Sequence, residues 1–249
     1  MRGSLRFSVS LACLVFLPAA SVYARPTLQP GEYITDGGSG HLIIQPGSDG
    51  KFPFSVDSVG GNRHSCGLEG YIQRGRASVR PFDDDEFEPC IVTFSPTSDG
   101  IQVTPEISES CRALCGARAS FDGFYLKPSA GCDSESVSQS RNKFKRLYDS
   151  KAFQKAHVVL YSVLKNCSKT LNWLELGEIR NDLAITEYHL GRMGDCLKTL
   201  EPLGVDTTRT ADEEVAQLAK VAPSDADALL PIVQATQTNI KLCSKSRKK

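Results

Sequence analysis

Between Gly31 and Tyr125, apolar and polar positions alternate in short runs broken by turn signals. Phe52, Phe54 and Val56 alternate with Pro53 and Ser55, the period of a strand with one buried face. Runs of this kind predict strands over Glu32–Thr35, His41–Gln45, Phe52–Val59, Cys66–Ile72, Ala77–Arg80, Cys90–Phe94, Ile101–Thr104 and Phe121–Tyr125. Between them lie Gly37-Gly38-Ser39-Gly40, Ser48-Asp49-Gly50, Gly60-Gly61-Asn62 and Ser98-Asp99-Gly100. Such Asp-Gly and Gly-Gly pairs supply the positive φ angles of tight hairpins. Short strands at this spacing predict a small antiparallel barrel or sandwich. Gly31-Glu32-Tyr33 is echoed by Gly123-Phe124-Tyr125, and the first and last strands are expected to meet and close the sheet.

Beyond Gly131 the period changes. Phe144, Leu147 and Tyr148, then Val159, Leu160, Val163 and Leu164, recur at three and four residues, which is helical spacing. Four further stretches fit helices: Trp173–Leu190, Asp195–Leu200, Asp212–Lys220 and Ala226–Leu242. Pro231, one turn into the last, predicts a later start or a kink there. The fold class expected is α+β, with a β domain over 25–130 and a helical domain over 131–249.

The first 24 residues change the picture of where the chain works. Arg2 and Arg6 form a charged region, Val9–Ala20 an apolar one, and Val22-Tyr23-Ala24 a small-residue cleavage site, together the pattern of a signal peptide. About a dozen apolar residues fall short of the roughly 20 that span a bilayer, and no later run reaches that length. The leader carries two of the 29 basic residues and none of the 29 acidic ones. The mature chain therefore has 27 against 29, a net charge of −2. A near-neutral chain has no general electrostatic reason to bind nucleic acid. The basic tail, Lys241, Lys245, Arg247, Lys248 and Lys249, reads as a solvated terminus.

Nine cysteines lose Cys13 with the leader. The remaining eight, Cys66, Cys90, Cys111, Cys115, Cys132, Cys167, Cys196 and Cys243, divide evenly between the two halves. An even count in an exported chain implies a disulfide framework. Four cysteines leave three connectivities open in each half; the pairing expected is Cys66–Cys90, Cys111–Cys115, Cys132–Cys167 and Cys196–Cys243. A redox pair at Cys111-x-x-x-Cys115 has one residue too many between its thiols, and no second pair with metal-ligand spacing lies nearby.

The helical half holds an internal repeat. Leu147-Tyr148-x-x-Lys151-x-Phe153-x-x-Ala156 is matched forty residues on by Tyr188-x-x-Gly191-x-Met193-x-x-Cys196. Over about 70 residues this resembles tetratricopeptide-type helical hairpins. It departs from that family in its longer spacing, in Phe144 where a small residue is usual, and in carrying disulfides. Three repeats normally bury a continuous core, so the helix ending near Cys243 is expected to act as a cap. The resemblance implies protein binding through a concave face. The β half is similar, in architecture alone, to periplasmic inhibitors of lysozyme.

Candidate chemistry is sparse. His64 lies in the turn Gly60–Ser65 with Ser58 and Ser65 near, but no nucleophile-elbow sequence accompanies it. His157 and His189 read as packing or surface groups, and Trp173 as core. Asp83, Asp84, Asp85 and Glu86 open a run of carboxylates that reads as a solvated loop, a contact for a basic partner, or calcium ligands. The run lacks the spaced ligands and central Gly of a calcium loop. No metal or cofactor is expected. The reading is an exported, non-enzymatic protein-interaction protein of the bacterial periplasm or cell surface, partnered by another envelope protein. Its rivals are an inhibitor of a lysozyme-type cell-wall hydrolase and a serine-type hydrolase using His64.

Overall fold

The computed structural model describes residues 27–80, 88–106, 109–218 and 223–245. The expected leader and the run Asp83, Asp84, Asp85 and Glu86 lie outside the described residues.

Eight strands form the first half: β1 (Gly31–Thr35), β2 (Gly40–Ile44), β3 (Lys51–Val59), β4 (Ser65–Gln73), β5 (Arg76–Val79), β6 (Cys90–Pro96), β7 (Gly100–Pro105) and β8 (Gly123–Leu126). Each pairs antiparallel with the next, and β1 pairs with β8 through Ile34↔Leu126 and Thr35↔Tyr125. The sheet is therefore a closed barrel, which decides between barrel and sandwich. Period-two patterning places Leu42 and Ile44 of β2, Phe54 and Val56 of β3, and Val92 and Phe94 of β6 inside. Phe54 and Phe94 meet edge to face at 4.9 Å. The β4–β5 turn holds Arg74 and Gly75 at φ of 54° and 76°, the paired positive angles of a tight hairpin.

A short helix, α1 (Glu109–Ala113), and the segment after it lie across one end of the barrel. Ala119 and Phe121 are buried in the barrel core, and the Ser58 hydroxyl donates to the Ser120 carbonyl at 2.8 Å. This segment corrects the expected pairing of the barrel cysteines. Cys66 bonds Cys115, and Cys90 bonds Cys111. Cys111 faces the core from α1 towards β6, whereas Cys115 lies beyond the helix and pairs its backbone with Cys66 of β4. The two cysteines thus staple the crossing segment to two different strands rather than closing on each other.

The second half holds α2 (Ser134–Asp149), α3 (Phe153–Cys167), α4 (Trp173–His189), α5 (Met193–Leu200), α6 (Ala211–Leu218) and α7 (Ala226–Ser244). Asp133 caps α2 by accepting from the Ser136 amide at 2.9 Å, and Asn172 with Glu175 forms a capping box on α4. The last helix starts at Ala226 and runs through Pro231. Its start is therefore not delayed to the proline. Cys132–Cys167 joins the N-terminal end of α2 to the C-terminal end of α3, and Cys196–Cys243 ties α5 to α7, as expected. Four bridges fit an oxidising compartment. Among the described residues no helix is long and apolar enough to cross a membrane.

The apolar cluster of the barrel and those of the helices share no residue. Polar contacts join the halves instead. Glu32 of β1 accepts from the Ser134 amide at 2.8 Å and from the Ser134 hydroxyl, at the start of α2. The Gly37 amide donates to the Lys169 carbonyl at 2.7 Å. Gly38, at φ of 63°, lies so close to the α3–α4 connection that a Cβ there would stand 2.5 Å from the Asn172 backbone nitrogen. On the far side, Arg63 pairs with Asp225 at 3.2 Å.

Candidate interaction groove

The helical half is built from two hairpins with matching local geometry. In the first, the Lys151 amide bonds the Tyr148 carbonyl at 2.8 Å and the Ala152 amide bonds that of Leu147 at 2.9 Å. In the second, the Gly191 amide bonds the Tyr188 carbonyl at 3.0 Å and the Arg192 amide bonds that of Glu187 at 2.8 Å. Lys151 and Gly191 both take positive φ, 60° and 76°. Ala156 and Cys196 fill equivalent crossing positions, and Leu160 and Leu200 follow one turn on; all four are buried. The forty-residue offset seen in the sequence is thus a repeat of structure.

That repeat sets the first helices of the two hairpins, α2 and α4, along one groove of about 620 Å³. From α2 come Ser138, Arg141, Asn142, Lys145 and Tyr148; from α4 come Glu175 and Asp182. Asn142 and Asp182 are themselves forty residues apart and occupy matching positions. The Arg141 guanidinium bonds Glu178, tying the two helices across the groove. Glu175 accepts from the Asn172 amide at 2.9 Å and so belongs to the cap of α4. Asp182 is half-buried and, among the described residues, its carboxylate has no hydrogen-bond donor or ion-pair partner. Burial pushes that carboxyl up, Arg141 and Lys145 pull it down, Glu178 pushes it up again, and burial prevails. The Tyr148 hydroxyl is pushed up by burial and further by Asp182 and Asp149.

Behind the groove the helices are held by polar contacts that all find partners. Glu187 of α4 is 3% exposed, accepts from the Thr199 hydroxyl at 2.8 Å and meets His157 Nε2 at 3.2 Å. Asn181 donates to the Ile232 carbonyl at 3.3 Å and to Thr236 Oγ1 at 2.9 Å, and accepts from Asn239 at 3.0 Å, locking α4 against α7. These groups fix the shape of the groove rather than lining it.

The residues singled out from the sequence fall elsewhere. The eight cysteines are staples. His64 packs against Gly116, whose Cβ position is 2.7 Å from His64 Nδ1. Ser58 is committed to the Ser120 carbonyl, and among the described residues no side-chain hydrogen bond joins His64 to Ser58 or Ser65. Trp173 is 44% exposed at the start of α4, so its expected place in the core is corrected. His189 stacks on Phe153 with ring centroids 4.5 Å apart. Among the described residues no group of three or more His, Cys, Asp or Glu side chains is placed to hold a metal. The groove residues were missed because each is an ordinary polar position on a helix; the signal that could have found them is the forty-residue offset, which carries Asn142 onto Asp182. Compared with protein-family models, curated proteins and solved structures, the chain matches none.

Proposed function

We propose that the chain is an exported, non-enzymatic protein-interaction protein whose helical half is a tetratricopeptide-like module. The α2–α4 groove receives an extended segment of another envelope protein. The observation that carries this reading is the repeated hairpin, with its two turns matching bond for bond and its two first helices sharing one groove. Stacked hairpins of this kind expose the faces of their first helices as a concave surface. The helix α7 closes the second hairpin through Asn181 and the Cys196–Cys243 bridge, the role of a terminal cap.

The test uses the mature chain with a photoreactive benzoylphenylalanine at Asn142 in the groove or at Tyr71, an exposed residue of the barrel. After irradiation with envelope extract, a discrete adduct is expected at position 142 and none at 71. Adducts at Tyr71 alone move the binding surface to the barrel and favour the hydrolase-inhibitor reading. A serine-directed fluorophosphonate probe completes the comparison. Labelling of the chain revives the hydrolase reading, and silence favours binding.

A further inference from the structure

We infer that the groove is selective for a basic polypeptide segment, seating a lysine or arginine side chain on Asp182. The inference rests on the groove being the docking surface, and it names the chemistry of what docks. Its first support is which charges in the groove are already satisfied. Arg141 is held by Glu178 and Glu175 by the backbone of Asn172. Asp182 alone combines partial burial with no donor of its own, midway along α4. The carboxylate stays open to solvent, and an incoming cation can pair with it where partial burial lets water screen the pair less.

The second support is the local balance of charge. Asp149, Glu175 and Asp182 line the groove and Glu178 stands at its edge, against Arg141 and Lys145. Four carboxylates facing two cations favour a positive visitor and disfavour a negative one. The third support is length. The lining runs along α2 from Ser134 to Asp149, about 22 Å at helical rise, which matches roughly six or seven residues of extended chain. A polypeptide fills that length, whereas a small free cation occupies only the neighbourhood of Asp182.

The position of Lys145 sharpens the test. It lies within electrostatic reach of Asp182 and is exposed. An arriving lysine competes with it, so its removal helps a basic segment; an acidic segment needs it, so its removal harms that one.

The experiment is fluorescence anisotropy with the disulfide-bonded mature chain and two labelled peptides, one alternating Lys with Gly and one alternating Glu with Gly. The basic peptide is expected to bind, and Asp182→Asn to weaken it by roughly tenfold or more. Lys145→Ala tightens that binding. Changing Asp83, Asp84 and Asp85 to Asn leaves it unchanged. Equal affinity in the Asp182→Asn protein overturns the inference, as does loss of binding in the Asp83 to Asp85 variant, which moves the basic partner to the barrel. Binding of the acidic peptide, weakened by Lys145→Ala, overturns the cation seat while keeping the groove as the docking surface. Displacement of the peptide by equimolar spermidine overturns the choice of a polypeptide. Binding of neither peptide removes the docking reading itself.

Discussion

Glu32 shows how much of the molecule depends on single carboxylates. It sits on the outer face of β1, bonded to His41 at 3.1 Å and to the amide and hydroxyl of Ser134. Burial alone raises its pKa, but the Ser134 hydroxyl and amide, with His41, outweigh that and hold the carboxyl below its ordinary value. A group lowered in the folded state contributes stability above its unfolded pKa of about 4.3 and loses it as pH falls through the folded value. Glu32→Gln should therefore cost about 1 kcal/mol at neutral pH, the scale of a lost charged cap. The difference from the parent should shrink in acid, as pH falls through that lowered folded value and Glu32 takes up its proton. Urea denaturation followed through the helical signal at neutral and at acid pH checks this, and an undiminished difference in acid would mean that Glu32 acts through packing. None of this was legible beforehand, because Ser134 lies about a hundred residues from Glu32. The histidine that drew attention, His64, had serines beside it in sequence, yet the fold spends Ser58 on a backbone carbonyl.

At the scale of elements, periodicity located most of the strands and helices but not what surrounds them. All eight strands of the barrel were legible because each shows one apolar face, and the first four turns, from β1–β2 to β4–β5, take positive φ; the β6–β7 turn at Ser98-Asp99-Gly100 does not, against expectation. The echo between Gly31-Glu32-Tyr33 and Gly123-Phe124-Tyr125 also marked the two strands that close the sheet. The helix α4 was legible as a helix, yet its burial was not. Asn181 and Glu187 are polar residues at buried positions, each satisfied by a neighbour that only the packed structure supplies, whereas the buried Thr186 donates to the Asp182 carbonyl one turn back in α4. Gly177 marks the tightest point of that packing. A Cβ there would stand 2.8 Å from Ile232 Cγ2, so α7 lies directly on the α4 backbone. Gly177→Leu should force the two helices apart and break the Asn181–Thr236 contact. The cost expected is about 2–3 kcal/mol, from overpacking together with lost buried hydrogen bonds. A thermal melt monitored by circular dichroism measures it; a midpoint equal to the parent's would mean that α7 does not press on α4 in this way.

The whole molecule is two separately cored halves joined by polar contacts and stapled internally, with no disulfide between them. Two of the four pairings were expected, and of these Cys132–Cys167 was legible because an antiparallel helix pair brings its ends together. The other two depended on where α1 crosses the barrel, which no spacing in the sequence encodes. Non-reducing digestion and mass spectrometry should recover peptides linked as Cys66–Cys115 and Cys90–Cys111, with no free thiol among the eight. Recovery of Cys66–Cys90 or of a closed Cys111–Cys115 loop would contradict the crossing of α1. Loops of 49 and 21 residues are worth roughly 3–4 kcal/mol each in the chain-entropy picture, so reduction should destabilise the barrel on that scale.

The groove between α2 and α4 carries the proposed function, and hydrogen exchange tests it most directly. Amide exchange of the disulfide-bonded mature chain is compared alone and saturated with the alternating Lys-Gly peptide. Slowed exchange should concentrate in peptides covering 138–149 and 175–186, with the barrel strands unchanged. Protection confined to the barrel, with α2 and α4 exchanging as in the free protein, would contradict it.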